Sequence, residues 1–207
     1  AKKIETLEIA SSSNVTASGQ LILTKEIKNA GQLTVPDLQI EPKGDAVTIE
    51  GNNAPANTTI TRFVFENADS KKLILKGNIT VSNVLKLSGL SIAKPLTVEG
   101  VGKLYTSNPL SDKGRFLIVH TNIPIEGNAY ITEKSKPEGT SQEIADGKPL
   151  NWVFDDCIGT LEWHGGVSTS WMERNNWRPV GLPSDDNDVI IPSGKARYPL
   201  LLITDTP

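Results

Sequence analysis

From Ile4 to Ile131 the chain repeats one device: a triplet with apolar ends, followed within a few residues by Gly, Asn, Asp, Ser or Pro. The copies are Leu7-Glu8-Ile9, Leu21-Ile22-Leu23, Leu33-Thr34-Val35, Leu38-Gln39-Ile40, Val47-Thr48-Ile49, Phe63-Val64-Phe65, Leu73-Ile74-Leu75, Ile79-Thr80-Val81, Leu85-Lys86-Leu87 and Leu96-Thr97-Val98. A period of two sends alternate side chains to opposite faces, so each triplet predicts a half-buried strand. Successive triplets mostly start six to sixteen residues apart, which is too close for the crossover helix of an ordinary βαβ unit.

The pattern predicts an all-β protein and leaves two architectures open: an antiparallel β-sandwich, or a parallel β-helix (β-solenoid) whose short strands stack rung upon rung. The turns favour the solenoid. A hairpin meander calls for two-residue Asn-Gly or Asp-Gly loops between strands of five or six residues. None joins these triplets, and Asp146-Gly147 lies beyond them. Corners such as Lys76-Gly77-Asn78, Ser88-Gly89 and Glu99-Gly100 suit a coil that turns every few residues, because Gly and Asn tolerate positive φ. Rungs of about 20 residues would give roughly six or seven turns.

The apolar run Phe116-Leu117-Ile118-Val119, then Ile123, Ile125 and Tyr130-Ile131, reads as the end of the stack. Residues 133–148 are polar, with Pro137, Gly139 and Gly147, and predict a loop excursion from the solenoid, a usual place for a binding surface. All four tryptophans lie between Trp152 and Trp177. The expected division is therefore a solenoid domain over 1–160, with the excursion near 133–148, and a Trp-rich segment over 161–207.

Composition narrows the chemistry. The 207 residues include about 50 Val, Ile and Thr, one Met, 17 Gly and 13 Pro, a bias toward strands and turns. Cys157 cannot form an internal disulfide, and with only His120 and His164 beside it the chain cannot furnish a Cys/His zinc site. A net charge of −3 gives no electrostatic footprint for nucleic acid. No run approaches the ~20 apolar residues of a membrane-spanning helix, so membrane insertion is not expected. The sequence opens at Ala1 without a basic or apolar leader, and any export signal is expected to have been removed ahead of this numbering.

The Trp-rich segment carries a pattern: W-x-G-x-x-S-T-x-W-x-x-x-x-N-W from Trp163 to Trp177, Leu182-Pro183, D-D-N-D-V-I-I-P from Asp185 to Pro192, and Y-P-x-L from Tyr198. It resembles an adhesin-like repeat module of large secreted surface proteins of Gram-negative gut and gliding bacteria. In those proteins the module resembles a lead-in to Leu-Thr-Val rungs of a parallel β-helix. The likeness implies an architecture and an extracellular, cell-surface location but no catalytic residue. Because the lead-in stands at the end of this chain, residues 161–207 form either a cap on the preceding stack or the start of a neighbouring repeat.

Candidate sites follow from single clusters. Asp185, Asp186 and Asp188, around Asn187, are candidate calcium ligands, since a hard cation takes loop oxygens. They lack the Gly and Glu of the EF-hand loop, and a turn whose Asp side chains bond local N–H groups is preferred; no other cofactor is indicated. Trp163, Trp171 and Trp177 could stack on sugar rings, but the burial tendency of Trp favours a structural cap. Asp155 and Asp156 would point to opposite faces of a strand. Asp112, Lys113 and Arg115 read as a solvated turn. No nucleophile elbow, phosphate loop or H-E-x-x-H motif occurs, and neither histidine has a catalytic motif around it. Asn14, Asn57 and Asn78 fit N-x-S/T and are read as solenoid corners.

The expected function is a non-enzymatic structural or adhesive module of an exported bacterial surface protein. Neighbouring modules of a longer chain, and a glycan or surface protein of the host or environment, are its expected partners. The alternative is a carbohydrate-binding module or a degenerate polysaccharide-active β-helix, with its site at the tryptophans or the excursion.

Overall fold

The computed structural model describes residues 1–106, 114–126, 129–132, 135–146, 148–155, 159–183 and 187–200. Its strands wind into a β-solenoid of about six turns. Three parallel ladders make the walls. In the first, Thr16, Thr34, Thr59, Thr80, Tyr105 and Glu126 stand in register from rung to rung. The second carries Leu21, Leu38, Phe63 and Leu85. The third carries Val47, Leu73, Val98, Val119 and Pro137. Among the described strands only Gly159–Trp163 and Trp177–Arg178 pair antiparallel, so the sandwich alternative falls.

The alternation in the sequence dictates which side chains fill the coil. The strand Ala46–Glu50 buries Val47 and Ile49 and turns Ala46, Thr48 and Glu50 outward. Ile27, Leu33, Leu38, Ile49, Phe63 and Leu75 are completely buried in one continuous apolar column. Burying each such side chain is worth about 1.5–3 kcal/mol. Outward positions stack as well: Glu8, Lys28, Glu50 and Lys76 follow one another in register with alternating charge. Lys28 Nζ lies 3.2 Å from Glu8 and 3.4 Å from Glu26. Such exposed pairs add little stability, yet opposite charges avoid the repulsion that a ladder of like charges would create.

Several strands are longer than the triplets imply. Thr58–Ala68 and Asn78–Gly89 each run around a corner and serve both the first and second ladders. A register shift between Ile60 and Arg62 bends them without a glycine. Glycine is required elsewhere. Gly77 has φ of 63°, and a Cβ there would meet the Gly51 carbonyl oxygen at 2.2 Å. Gly100 has φ of 121° and packs as tightly on the Leu75 carbonyl. The corner residue Asn29 is buried; its Nδ2 donates to the Asn57 carbonyl (2.9 Å) and Thr58 Oγ1 (2.8 Å), and its Oδ1 accepts from Gly31 N. Among the proposed corner asparagines, Asn14 and Asn78 open strands, and Asn57 closes the short helical turn Pro55–Asn57.

The excursion is shorter than the sequence suggested. Lys136–Glu138 is a strand of the third ladder, paired with Leu117–His120, so the chain departs from the rung only after Glu138. Hydrophobic periodicity misses this strand because Pro137 is its one inward residue. Beyond it, helix α1 (Ser141–Ala145) is closed by a reciprocal cap: Glu143 N donates to Thr140 Oγ1, and Thr140 N donates to Glu143 Oε2.

The Trp-rich segment does not stand apart from the stack. Gly181–Leu182 adds a parallel step to the second ladder by pairing with Trp152–Asp155, and Phe154 N donates to the Val180 carbonyl at 2.7 Å. Trp163 and Trp177 belong to the same apolar cluster as the rungs. The expected boundary near 160 falls within the strand Gly159–Trp163.

Candidate functional site

At the cap, Trp177 sits between the other two tryptophans of the pattern. Its ring lies edge-on to Trp163 at 4.9 Å and to Trp171 at 4.7 Å, the geometry aromatic quadrupoles favour. Trp177 Nε1 donates to the Trp171 carbonyl (2.9 Å), and Trp163 Nε1 to the Arg197 carbonyl (2.7 Å). Trp163 and Trp177 are wholly buried and Trp171 partly so. An aromatic platform for sugars needs open ring faces. Trp163 and Trp177 offer none.

The polar letters of the pattern have internal duties too. Asn176 is fully buried; its Oδ1 accepts from Val167 N and Ser168 N, both at 3.0 Å, while Nδ2 donates to Ser168 Oγ and the Ser170 carbonyl. Gly165 has φ of 65° and lies against the Arg197 carbonyl. Leu200 bridges to Ser170, and Tyr198 Oη accepts from Gly194 N at 2.8 Å. Trp163, Gly165, Ser168, Trp171, Asn176 and Trp177 of the pattern are thus tied together, and to Arg197, by internal contacts.

Of the candidate calcium ligands, Asp188 is exposed on the strand Asn187–Ile190, while Asp185 and Asp186 lie outside the described residues, as do Asp112, Lys113, Asp156 and Cys157. Among the described residues no group of three or more His, Cys, Asp or Glu could hold a metal ion. His120 is brought between two carboxylates on the third ladder, with Nε2 2.8 Å from Glu138 and 3.7 Å from Glu99. Lys72 adds a contact to Glu99 at 3.2 Å. These groups form a ladder of polar contacts across successive rungs.

A groove of about 380 Å³ opens between the excursion and the cap. Lys136 and Ser141 line it from one side; Thr160, Glu162 and Arg178 line it from the other. The Arg178 guanidinium is half-buried, and loss of hydration lowers its pKa from the ordinary value. Its Nη1 donates to the Asn175 and Trp177 carbonyls, and among the described residues no carboxylate pairs with it. Glu162 Oε1 accepts from Lys195 at 3.0 Å. Nearby His164 has its pKa lowered, first by partial loss of hydration and then by the charges of Arg178 and Lys195. Sequence reasoning placed interest in residues 133–148 but missed Arg178 and Glu162. They come within reach of Lys136 only because the cap folds back beside the last rung, and no local spacing announces that.

Compared with known proteins, the chain matches no family model, no curated protein and no solved structure. The resemblance of the Trp163 to Leu200 pattern therefore rests on its residues alone.

Proposed function

We propose that the chain is a non-enzymatic structural or adhesive module of an exported bacterial surface protein, a β-helical stalk that holds loops away from the cell and joins neighbouring modules. One observation carries this reading: within the Trp163–Trp177 stretch of the C-terminal pattern, the tryptophans and Asn176 are engaged in internal contacts. A pattern used in this way is architectural. The rungs supply the rest, because stacked layers hydrogen-bond each strand to the next and bury one apolar column, so the body resists local opening.

The test is surface labelling of the bacterium that makes the protein. Antibodies raised against the purified chain are expected to decorate intact cells, with the epitope lost after brief treatment with an external protease. Signal only after permeabilisation overturns the reading.

A further inference from the structure

Beyond this scaffold role, and without depending on it, we propose that the groove between the excursion and the cap binds a sugar carboxylate, a hexuronic acid residue held by its carboxylate and its hydroxyls. The charge balance of the groove points to an anion. Lys136 is exposed and, among the described residues, has no ion-pair partner, and Arg178 meets two backbone carbonyls through Nη1 alone. Glu162 is the one carboxylate on the wall, and Lys195 already pairs with it. Two cations that have no carboxylate partner among the described residues, one of them half-buried, make an incoming carboxylate favourable, and the Nη2 and Nε groups of a guanidinium can meet it with two hydrogen bonds.

The remaining wall selects among anions. Ser141 and Thr160 offer hydroxyls, and Glu162 keeps Oε2 outside its bond to Lys195. This mixture of donors and acceptors suits a ligand with several hydroxyl groups and serves a plain fatty acid poorly. Pro137, Ile144, Pro179 and Ile190 supply apolar surface against which the C–H face of a pyranose can lie. The volume, about 380 Å³, is at the small end of ligand sites, which run from ~300 to ~1,000 Å³. It suits one or two rings rather than a long segment.

Isothermal titration of the full chain with sodium D-galacturonate, D-galactose, tri-galacturonate and inorganic phosphate tests the assignment. Galacturonate is expected to bind at least tenfold more tightly than galactose, and phosphate to compete weakly. Tri-galacturonate binding more tightly than the monosaccharide identifies a polymer as the source; equal affinity identifies the free sugar acid. Lys136→Gln is expected to weaken galacturonate binding tenfold or more. Ile190→Asp, at a side chain 52% exposed, is expected to abolish it while circular dichroism stays unchanged. Arg178 is left intact because its substitution would also remove two bonds that shape the cap. Equal or absent binding of galacturonate and galactose overturns the proposal. So does full binding by both variants, or competition by phosphate at the same concentration, which would mark a general anion patch.

Discussion

The rungs and the cap keep their shape by opposite means. Along the third ladder the inward sites hold Val47, Leu73, Val98, Val119 and Pro137 in turn, and in the second, Leu21, Leu38, Phe63 and Leu85. What matters there is that the site is apolar and that its neighbour above and below is too. The cap allows no such freedom: Trp177 must reach two other rings, Asn176 must satisfy four bonds, and Gly165 must leave room for a carbonyl. A rung can therefore be written with many apolar letters, whereas the Trp-rich segment needs particular ones.

The contrast can be broken most forcefully at its centre. Trp177→Ala removes both edge-on contacts and one hydrogen bond, and is expected to cost about 3–5 kcal/mol. The near-ultraviolet signal of the cap should collapse while the far-ultraviolet strand signal of the rungs persists. Coincident loss of both would show that rungs and cap melt as one unit. Asn176→Ala comes next, at about 1–3 kcal/mol, because the half-buried N–H groups of Val167 and Ser168 lose their acceptor. Asn29→Ala in a rung corner is its control: an equal loss of stability in chemical denaturation would mean that corners are as exacting as the cap. Ile49→Val, a methylene removed from the middle of the column, should cost about 1 kcal/mol. A loss above about 2 kcal/mol would show that the rungs are not as interchangeable as their sequences suggest.

The same difference explains what could be read from the letters. Strand period and short spacing narrowed the fold to a sandwich or a solenoid, because Val47, Ile49, Leu73 and Leu75 announce their burial by alternation alone, and corners such as Gly77 and Gly100 then favoured the solenoid by residue type. Pro137 hid a rung strand, since a proline within a polar stretch signals a turn before it signals an inward position. The buried state of Trp163 and Trp177 was legible as a tendency, but the polar network that Asn176 makes with Ser168 was not. The groove was not legible. Lys136 and Arg178 stand on separate elements, and their approach depends on how Gly181–Leu182 docks on Phe154, a long-range pairing with no local signature.

The smallest effect separates the regions by charge. His164 is exposed at the cap, and its pKa lies below the ordinary 6.5 because part of its hydration is lost and because Arg178 and Lys195 stand near it. The unfolded chain, with an unshifted imidazole, then binds more protons than the folded one between the two pKa values. Stability is full above pH 6.5 and falls as pH drops through that window. The carboxylates with lowered pKa, Glu5 and Glu143, act only nearer the carboxylate value of 4.5. Melting followed in the near-ultraviolet should show a shallow decline between about pH 7 and pH 5, which His164→Gln flattens. Added salt should trim the slope by screening Arg178 and Lys195 but leave the part due to lost hydration. A slope that salt removes entirely would reverse the order of the two causes, and a slope unchanged in the variant would place the titrating group elsewhere in the molecule.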